Sequence, residues 1–321
     1  MKKSINSVTA PPPSLRYPSS RSTILAAICV IFLTANAAAQ TSSTAADVVP
    51  GPDLLETGAA AKFQPPFSVP AEIKVISYNI RWRGGDDLLK LIEYLRSDPE
   101  IGGAEIIGLQ EVDRGKKRTD GINTARRIAE ALGMSYAWAA PPRTEDNQAE
   151  DETGVAILSK YAMIDVERLV LPNAGPGGRR RAAVGATVLV GDKRVRVYSA
   201  HAETRIPVDR KVEQFRAVLN SLESRPQENH AIVLGDLNTI KSKDVTRTVQ
   251  LFTDAGFSTP LPQDRPTWRF YFIKLKLDWV WLKGIDATGG RVVRRITLSD
   301  HWPMWVRVKL RAGNSTAVTS K

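Results

Sequence analysis

The stretch AIVLGDLN at residues 231–238 has a pattern that recurs along this chain, a short apolar run followed directly by polar residues. A short apolar run predicts a buried strand, and it leads directly into polar residues, so that Asp236 and Asn238 stand where the strand ends. The end of a strand can hold a reactive side chain rigidly. We therefore predict that this strand carries part of a functional site at its carboxyl end.

The same kind of apolar run recurs along the chain. Runs of this type predict strands over residues 73–80, 105–109, 154–158, 183–190, 195–200, 231–234, 277–282 and 302–308. Apolar residues at helical spacing predict helices over 87–96, 124–132 and 209–222. Strands with interspersed helices indicate an α/β domain in which helices cover sheet. No glycine-rich phosphate loop follows a strand, which argues against nucleotide-binding folds of the P-loop and Rossmann types.

The composition narrows the class of protein. A chain of 321 residues with 42% apolar content is expected to fold around a sizeable core. The single cysteine, Cys29, excludes an intramolecular disulfide framework and a cysteine-built zinc site. Lys and Arg number 45 against 34 Asp and Glu, which gives a net charge of +11. This balance favours anionic partners such as nucleic acid, phosphate esters or acidic lipid.

Residues 1–39 have the layout of a secretory signal peptide, with a basic start, an apolar run over 23–34 and small residues up to Ala39. The apolar run is shorter than the roughly 20 residues that cross a bilayer. We predict cleavage near Ala39 and an exported chain, periplasmic or secreted, without a transmembrane segment. Cleavage removes Lys2, Lys3, Arg16 and Arg21, so the mature net charge is 11 − 4 = +7.

The rest of the chain divides into three predicted parts. Residues 40–70 are rich in Ala, Ser, Thr and Pro, which predicts a flexible linker. Residues 71–312 form the predicted folded domain, and 313–321 form a small polar tail. We expect the domain to be a monomer.

Polar side chains cluster at the ends of the predicted strands. Singly, each is more often a helix cap, a surface group or a packed histidine than a catalytic residue. Together, four carboxylates, two amides and two histidines make an oxygen-rich site suited to a hard cation, with imidazoles able to stabilise a phosphoryl group or its leaving oxygen. These residues are Asn79, Glu111, His201, Asp236, Asn238, Asp278, Asp300 and His301.

Seven short motifs follow one another along the chain, and all but GVAILS contain at least one of these residues. They are SYN (77–79), LQEV (109–112), GVAILS (154–159), SAH (199–201), GDLN (235–238), LDWV (277–280) and SDH (299–301). On these motifs the sequence resembles the endonuclease/exonuclease/phosphatase superfamily, which includes deoxyribonuclease-like nucleases and sphingomyelinases. The resemblance implies a four-layer αββα sandwich of two packed mixed β-sheets flanked by helices, with the site at one end of the sheets.

The resemblance also implies a metal site and a nucleophile. Glu111 would be the principal metal ligand, helped by Asn79, with Asp300 as a second carboxylate. The implied cofactor is Mg²⁺, with Mn²⁺ or Ca²⁺ as alternatives. Asp236 would orient or deprotonate the attacking water, and Asn238 would hold that water and the phosphate.

The two histidines receive carboxylate partners in the same way. The resemblance implies that His301 pairs with Asp278, and that His201 contacts the phosphate and pairs with Glu152. A carboxylate behind a histidine raises the pKa of the imidazole, so we expect both histidines to be cationic or to share a proton near neutral pH. His230 has no role in the family, and we expect it to be structural or exposed.

The natural substrate is less clearly indicated. Two basic clusters, at 114–118 and 179–181, could hold an anion beside the site or could be solvated surface. An aromatic group at 268–272 could stack on bases, touch lipid or pack in the core. We rank a metal-dependent phosphodiesterase acting on nucleic acid first. A phospholipid or sphingolipid phosphodiesterase comes second, because no long apolar hairpin is evident, and a non-catalytic basic binding module comes third.

Overall fold

The computed structural model describes residues 54–143, 152–262 and 265–311. The predicted signal peptide, residues 40–53 of the predicted linker and the predicted tail lie outside these ranges.

The described chain alternates strands and helices. In chain order the elements are β1 (Leu55–Ala59), β2 (Ile73–Asn79), α1 (Gly85–Ser97), β3 (Ile106–Arg114), α2 (Thr124–Leu132), β4 (Ser135–Ala139), β5 (Glu152–Ser159), β6 (Met163–Leu171), β7 (Arg181–Val190), β8 (Lys193–His201), α3 (Val208–Glu223), β9 (His230–Asp236), α4 (Ser242–Asp254), β10 (Trp268–Phe270), β11 (Ile273–Leu275), β12 (Asp278–Lys283), β13 (Ile285–Val292) and β14 (Met304–Leu310). Short 3₁₀ turns lie at Lys117–Thr119 and Pro176–Gly178.

Two mixed sheets contain most of the strands. The seven-stranded sheet has the order β1-β4-β5-β3-β2-β14-β13, and the five-stranded sheet has the order β12-β9-β8-β7-β6. One neighbouring pair is parallel in each sheet, β2 with β3 and β8 with β9. Strands β10 and β11 form a separate hairpin. The predicted eight strands all correspond to strands of these two sheets.

The two sheets pack face to face through a shared apolar core that includes Val75, Ile106, Val197 and Leu234. Their contact is close at Gly108, where an added Cβ would lie 1.9 Å from a methyl carbon of Leu234. Helices α1 and α2 cover the outer face of the seven-stranded sheet, and α3 and α4 cover that of the five-stranded sheet. This arrangement confirms the four-layer αββα sandwich.

Three strands that the apolar pattern did not predict lie at sheet edges. They are β1, β6 and β13, and most of their side chains are exposed or half-buried. An edge strand packs fewer side chains, so it needs no long apolar run. Residues Leu55–Ala59 of the predicted linker form part of the sheet, because β1 pairs with β4. Among the described residues, no helix is both long and apolar enough to cross a membrane.

Candidate active site

The strand ends of the two sheets meet at one end of the sandwich. Asn79 is the last residue of β2, while His201 and Asp236 end the parallel strands β8 and β9. Asp278 begins β12 and is the antiparallel register partner of Asp236. The polar residues that were predicted from separate strand ends are therefore brought together by the topology.

Asn79 joins carboxylates from both sheets. Its fully buried side chain donates from Nδ2 to Glu111 Oε1 at 3.1 Å and to Asp236 Oδ2 at 3.0 Å. Its Oδ1 accepts from the backbone N–H of Arg81 at 3.1 Å. The amide thus holds the two acids near each other and limits the repulsion between them.

Glu111 stands on a β-bulge. The register between β3 and β5 shifts between Gln110 and Val112, and Glu111 has φ 54°. A left-handed conformation is uncommon for a residue with a side chain, and bulges re-aim side chains next to functional sites. The preceding Gln110 is buried and donates to Ser199 Oγ at 3.0 Å, which ties β3 to β8 beside the bulge.

The turn after β9 fixes Asp236. Its Oδ1 accepts from the backbone N–H of Asn238 at 3.0 Å, and Asn238 Nδ2 donates to the carbonyl of Ala202 at 2.9 Å. The preceding Gly235 has φ 135°, and an added Cβ would lie 2.0 Å from the carbonyl oxygen of Ala200. Burial raises the pKa of Asp236; the charge of His301 opposes this effect, and the charge of Asp278 adds to it.

His301 pairs with Asp278, as the family resemblance implies. Its Nδ1 lies 2.8 Å from Asp278 Oδ2 and 3.0 Å from Oδ1, and its Nε2 lies 3.6 Å from Asp236 Oδ2. Burial alone would lower the pKa of His301, but the charges of Asp278 and Asp236 outweigh it and raise that pKa to about 10. With the ring protonated, Nδ1 donates to Asp278.

His201 has a different partner from the one predicted. Its Nε2 also lies 3.6 Å from Asp236 Oδ2, but its Nδ1 faces Arg181 Nη1 at 3.3 Å. The predicted pairing with Glu152 is wrong, because that carboxylate forms ion pairs with Arg114, at 3.0 Å, and with Arg143. Burial, and then the charge of Arg181, lower the pKa of His201 well below its usual value. These surroundings disfavour the cationic His201 that the predicted carboxylate partner would have stabilised.

Asp300 lies toward the β10–β11 hairpin. Its Oδ2 accepts from Trp268 Nε1 at 3.0 Å and lies 3.1 Å from Arg81 Nη1. Its carbonyl accepts from the backbone N–H of Arg269 at 2.9 Å. These contacts attach the hairpin to the site, and a role for Asp300 as a metal ligand stays a prediction.

The donor atoms fit a hard divalent cation. Ligand atoms of Asp236, Asp278 and His301 lie within 4.8 Å of one another, and Asn79 connects Asp236 to Glu111. Carboxylate and amide oxygens are the ligands that Mg²⁺, Mn²⁺ and Ca²⁺ prefer. Both oxygens of Asp278 face His301, so Glu111 and Asp236 are better placed than Asp278 to accept an ion.

Two cavities border this group of residues. The first, of about 500 Å³, has Glu111, His201, Trp82 and Lys116 in its wall together with the basic run Arg179, Arg180 and Arg181. The second, of about 460 Å³, borders Asp300 and is lined by Arg81, Arg83, Arg269, Phe270 and Tyr271 among others.

Several lining residues were not singled out from the sequence. Arg81, Trp82 and Arg83 follow the SYN motif after a single residue, Ile80, and this position was the signal that could have found them. His230, by contrast, takes no part in the site, since its Nε2 lies 3.0 Å from the carbonyl of Arg311.

Comparisons with known proteins agree with this geometry. A sequence profile described as the Endonuclease/Exonuclease/phosphatase family matches residues 76–301. A search of curated proteins found no match.

Solved structures share the fold at low sequence identity. An endonuclease/exonuclease/phosphatase from Beutenbergia cavernae DSM 12333 aligns with a TM-score of 0.60 and 20% identity, covering 75% of this chain and 72% of that one. The human nocturnin catalytic domain with bound sulfate gives 0.59 and 16%, covering 78% and 99%. D. rerio TDP2 complexed with a single-strand DNA product gives 0.58 and 15%, covering 75% and 100%. At these identities, the structures support the fold alone.

Proposed function

Since the chain belongs to the endonuclease/exonuclease/phosphatase family and is therefore a phosphoester hydrolase, we propose that it is an exported, divalent-metal-dependent phosphodiesterase that cleaves nucleic acid. Hydrolysis of a phosphodiester needs charge neutralisation at the phosphoryl oxygens, a positioned water and stabilisation of the leaving oxygen. The proposed roles of the site residues follow from these three needs.

The choice of substrate rests on one observation, that arginine side chains line cavities on two sides of the site. The cavity beside His201 has Arg179, Arg180 and Arg181 in its wall. The cavity beside Asp300 has Arg81, Arg83 and Arg269, together with two aromatic side chains. A phosphomonoester requires one anion pocket, whereas a polynucleotide carries phosphates on both sides of the bond that is cut. Exposed aromatic rings can stack on its bases.

The chain's own residues supply most of the proposed chemistry. Glu111 with Asn79 would hold the cation, helped by Asp300, and the cation would neutralise charge on the phosphoryl group. Asp236, whose pKa is raised, would accept a proton from the attacking water, and Asn238 would hold that water and the phosphate. His301, protonated and oriented by Asp278, would donate from Nε2 toward a phosphoryl or leaving oxygen.

A panel of substrates and metals tests this proposal. The purified mature protein is incubated with DNA, RNA, phospholipid vesicles and a simple phosphomonoester, each with Mg²⁺, Mn²⁺ or Ca²⁺ and with a chelator, and with the His301→Ala variant as a blank. We expect cleavage of nucleic acid that the chelator and Glu111→Gln abolish. A protein inert on every nucleic acid with all three metals contradicts the proposal.

One observation favours a phospholipid or sphingolipid phosphodiesterase as the second candidate. The turn of the β10–β11 hairpin exposes Phe270, Tyr271 and Phe272 at 56%, 84% and 79% of their surface. Aromatic residues beside a cation such as Arg269 can enter the interface of a bilayer.

Vesicles of sphingomyelin or phosphatidylcholine distinguish the two candidates. If the enzyme acts on lipid, Tyr271→Ala with Phe272→Ala should reduce both vesicle binding and release of the phosphorylated headgroup. No headgroup release, together with an active nuclease in the same preparation, contradicts the lipid candidate.

Export is the remaining part of the proposal. Residues 1–39 would be removed as a signal peptide, and residues 40–53 would link the new N-terminus to the described fold. N-terminal sequencing of the protein recovered outside the cytoplasm is expected to begin near Gln40. Retention of residues 1–39 in the cytoplasmic fraction contradicts this part and leaves the activity untouched.

A further inference from the structure

The partner of the His201 ring is a cation, and this determines where the ring carries its proton. Arg181 Nη1 lies 3.3 Å from His201 Nδ1. A guanidinium has N–H donors and no acceptor, so Nδ1 must accept the hydrogen bond. The neutral imidazole then carries its proton on Nε2, which points toward Asp236 Oδ2 at 3.6 Å.

A buried carboxylate holds Arg181 in this position. Glu203 is fully buried, and its Oε2 accepts from Arg181 Nε at 3.0 Å. Its Oε1 accepts from Arg179 Nη2 at 2.9 Å and from the backbone N–H of Arg205 at 3.1 Å. Burial alone would raise the pKa of Glu203, but Arg179 and Arg181 outweigh it and hold that pKa below its usual value. The carboxylate therefore stays ionised.

Glu203 is in turn fixed by the surrounding fold. Its backbone N–H donates to Oε1 of the buried Gln214 on helix α3 at 2.9 Å. The loop at Gly175 lies directly against its side chain, since a Cβ there would be 2.6 Å from Glu203 Cδ. Hydrogen bonds thus connect Gln214 on helix α3 to Glu203, Glu203 to Arg181, and Arg181 to the His201 ring without a break. Because these side chains are also closely packed, Arg181 has little freedom to move away from the ring.

We propose that Arg181, held by Glu203, fixes His201 as the neutral tautomer with its proton on Nε2. His201 then gives a hydrogen bond to the phosphate at this site but does not exchange a proton with it. Arg181 and Glu203 are positioning residues that act through the imidazole. The assignment of the tautomer is independent of the substrate, whereas its catalytic consequence rests on the proposed function.

The other charged groups near His201 agree with a neutral ring. Arg181 on β7 and Arg179 before it, together with His301, disfavour a second positive charge, and burial acts in the same direction. Asp236 on β9 is the facing acid, and it lies at the Nε2 side of the ring. No carboxylate among the described residues contacts Nδ1.

Imidazole ¹⁵N NMR on the mature protein tests the tautomer. The chain has three histidines, so His201→Gln and His230→Gln assign the signals. We expect His201 to show a protonated Nε2 and an unprotonated Nδ1, as the contact with Arg181 requires. A His201 ring protonated at Nδ1, alone or together with Nε2, overturns the proposal.

Two matched variants test the cause. Arg181→Met removes the donor to Nδ1, and we expect a mixture of the two tautomers. Arg180→Met removes the same charge from the same cavity, but Arg180 donates to the carbonyl of Leu171, so the Nε2–H tautomer should persist. If both variants keep the wild-type tautomer, Arg181 does not set it.

Glu203→Gln extends the test to the buried carboxylate. The expected result is an intermediate His201 spectrum, because Arg181 loses its charged anchor while it keeps its own donors. The amide fingerprint of the protein reports whether this variant is folded. If it is not, Arg181→Lys provides the second test, since an ammonium can still donate to Nδ1 and should restore most of the Nε2–H signal.

Kinetics separate this inference from the proposed function. On the substrate found by the panel, we expect Arg181→Met to lower kcat on the order of 10²-fold, as for the loss of one hydrogen-bond donor to a transition state. Arg180→Met should act mainly on KM. An inactive wild-type protein with the Nε2–H tautomer would contradict the function and leave the inference intact. An active enzyme whose His201 carries a proton on Nδ1 would support the function and contradict the inference.

Discussion

His201 and His301 present their Nε2 atoms to the same oxygen of Asp236, each at 3.6 Å. Behind the rings the two regions differ, since Nδ1 of His301 faces Asp278 and Nδ1 of His201 faces Arg181. The carboxylate raises the pKa of one ring, and burial with the guanidinium lowers the pKa of the other. The fold thus determines where each imidazole lies, whereas the neighbour of its Nδ1 determines its charge.

The difference gives the two histidines separate tasks. His301 can supply a positive charge and a proton near the phosphoryl group, whereas His201 can supply a fixed hydrogen-bond donor. Two carboxylate-backed rings would place two buried cations around Asp236. When His201 is neutral, the second positive charge lies on Arg181, on the side of the ring away from Asp236. Arg181 also lines the cavity.

The largest effect is expected on the His301 side. Asp278→Asn removes the charge that keeps His301 protonated and weakens its orientation, so kcat on nucleic acid should fall on the order of 10³-fold. Asp286→Asn is the control, because Asp286 is exposed and pairs with Arg311. A kcat equal to that of the control would show that His301 does not need its carboxylate.

The second largest effect is expected at Asp236, the acid that faces both histidines. Gly235→Ala places a methyl group against the carbonyl of Ala200 at a φ of 135°. The free energy of unfolding should fall by about 3 kcal/mol from strain and overpacking, and Asp236 should move relative to both rings. Urea denaturation measures the loss. Gly177→Ala is the control, because it also has positive φ but no atom lies within 4 Å of an added Cβ. Equal losses in the two variants would attribute the effect to φ alone.

A smaller effect is expected from the anchor on the His201 side. Glu203→Gln leaves Arg179 and Arg181 without their carboxylate, and because both are partly exposed, the loss in unfolding free energy should be about 2 kcal/mol. Glu213→Gln, at an exposed position on the neighbouring helix, should change it by less than about 0.5 kcal/mol. If Glu203→Gln is as stable as Glu213→Gln, the carboxylate does not anchor the two arginines.

The smallest effect lies outside both histidine regions. Tyr271→Ala removes an exposed ring at the hairpin turn, and single-stranded nucleic acid should bind more weakly by about 1 kcal/mol. Binding by fluorescence anisotropy measures this, with Leu89→Ala as a control at another exposed apolar position, on helix α1. The His201 and His301 spectra should not change. A shift in either spectrum would show that the hairpin is coupled to the rings.

Much of the fold could be predicted because most central strands are buried on both faces and read as apolar runs, as in β9. The central strand β4 is equally buried but is only five residues long, and it was not predicted. Edge strands such as β1 and β13 have no such run. Strand ends indicated the polar residues that the fold brings together, and the family resemblance implied the pairing of His301 with Asp278. The partner of His201 could not, because Arg181 lies in a basic run typical of solvated surface, and its anchor Glu203 is buried only by tertiary packing.

Neutron diffraction on a deuterium-exchanged crystal of the mature protein would locate the protons on both rings in one experiment. The opposite surroundings of the two histidines predict deuterium on Nδ1 of His301, between the ring and Asp278, and on Nε2 but not Nδ1 of His201. Deuterium on Nδ1 of both rings would contradict the account, because it would mean that Arg181 does not distinguish His201 from His301.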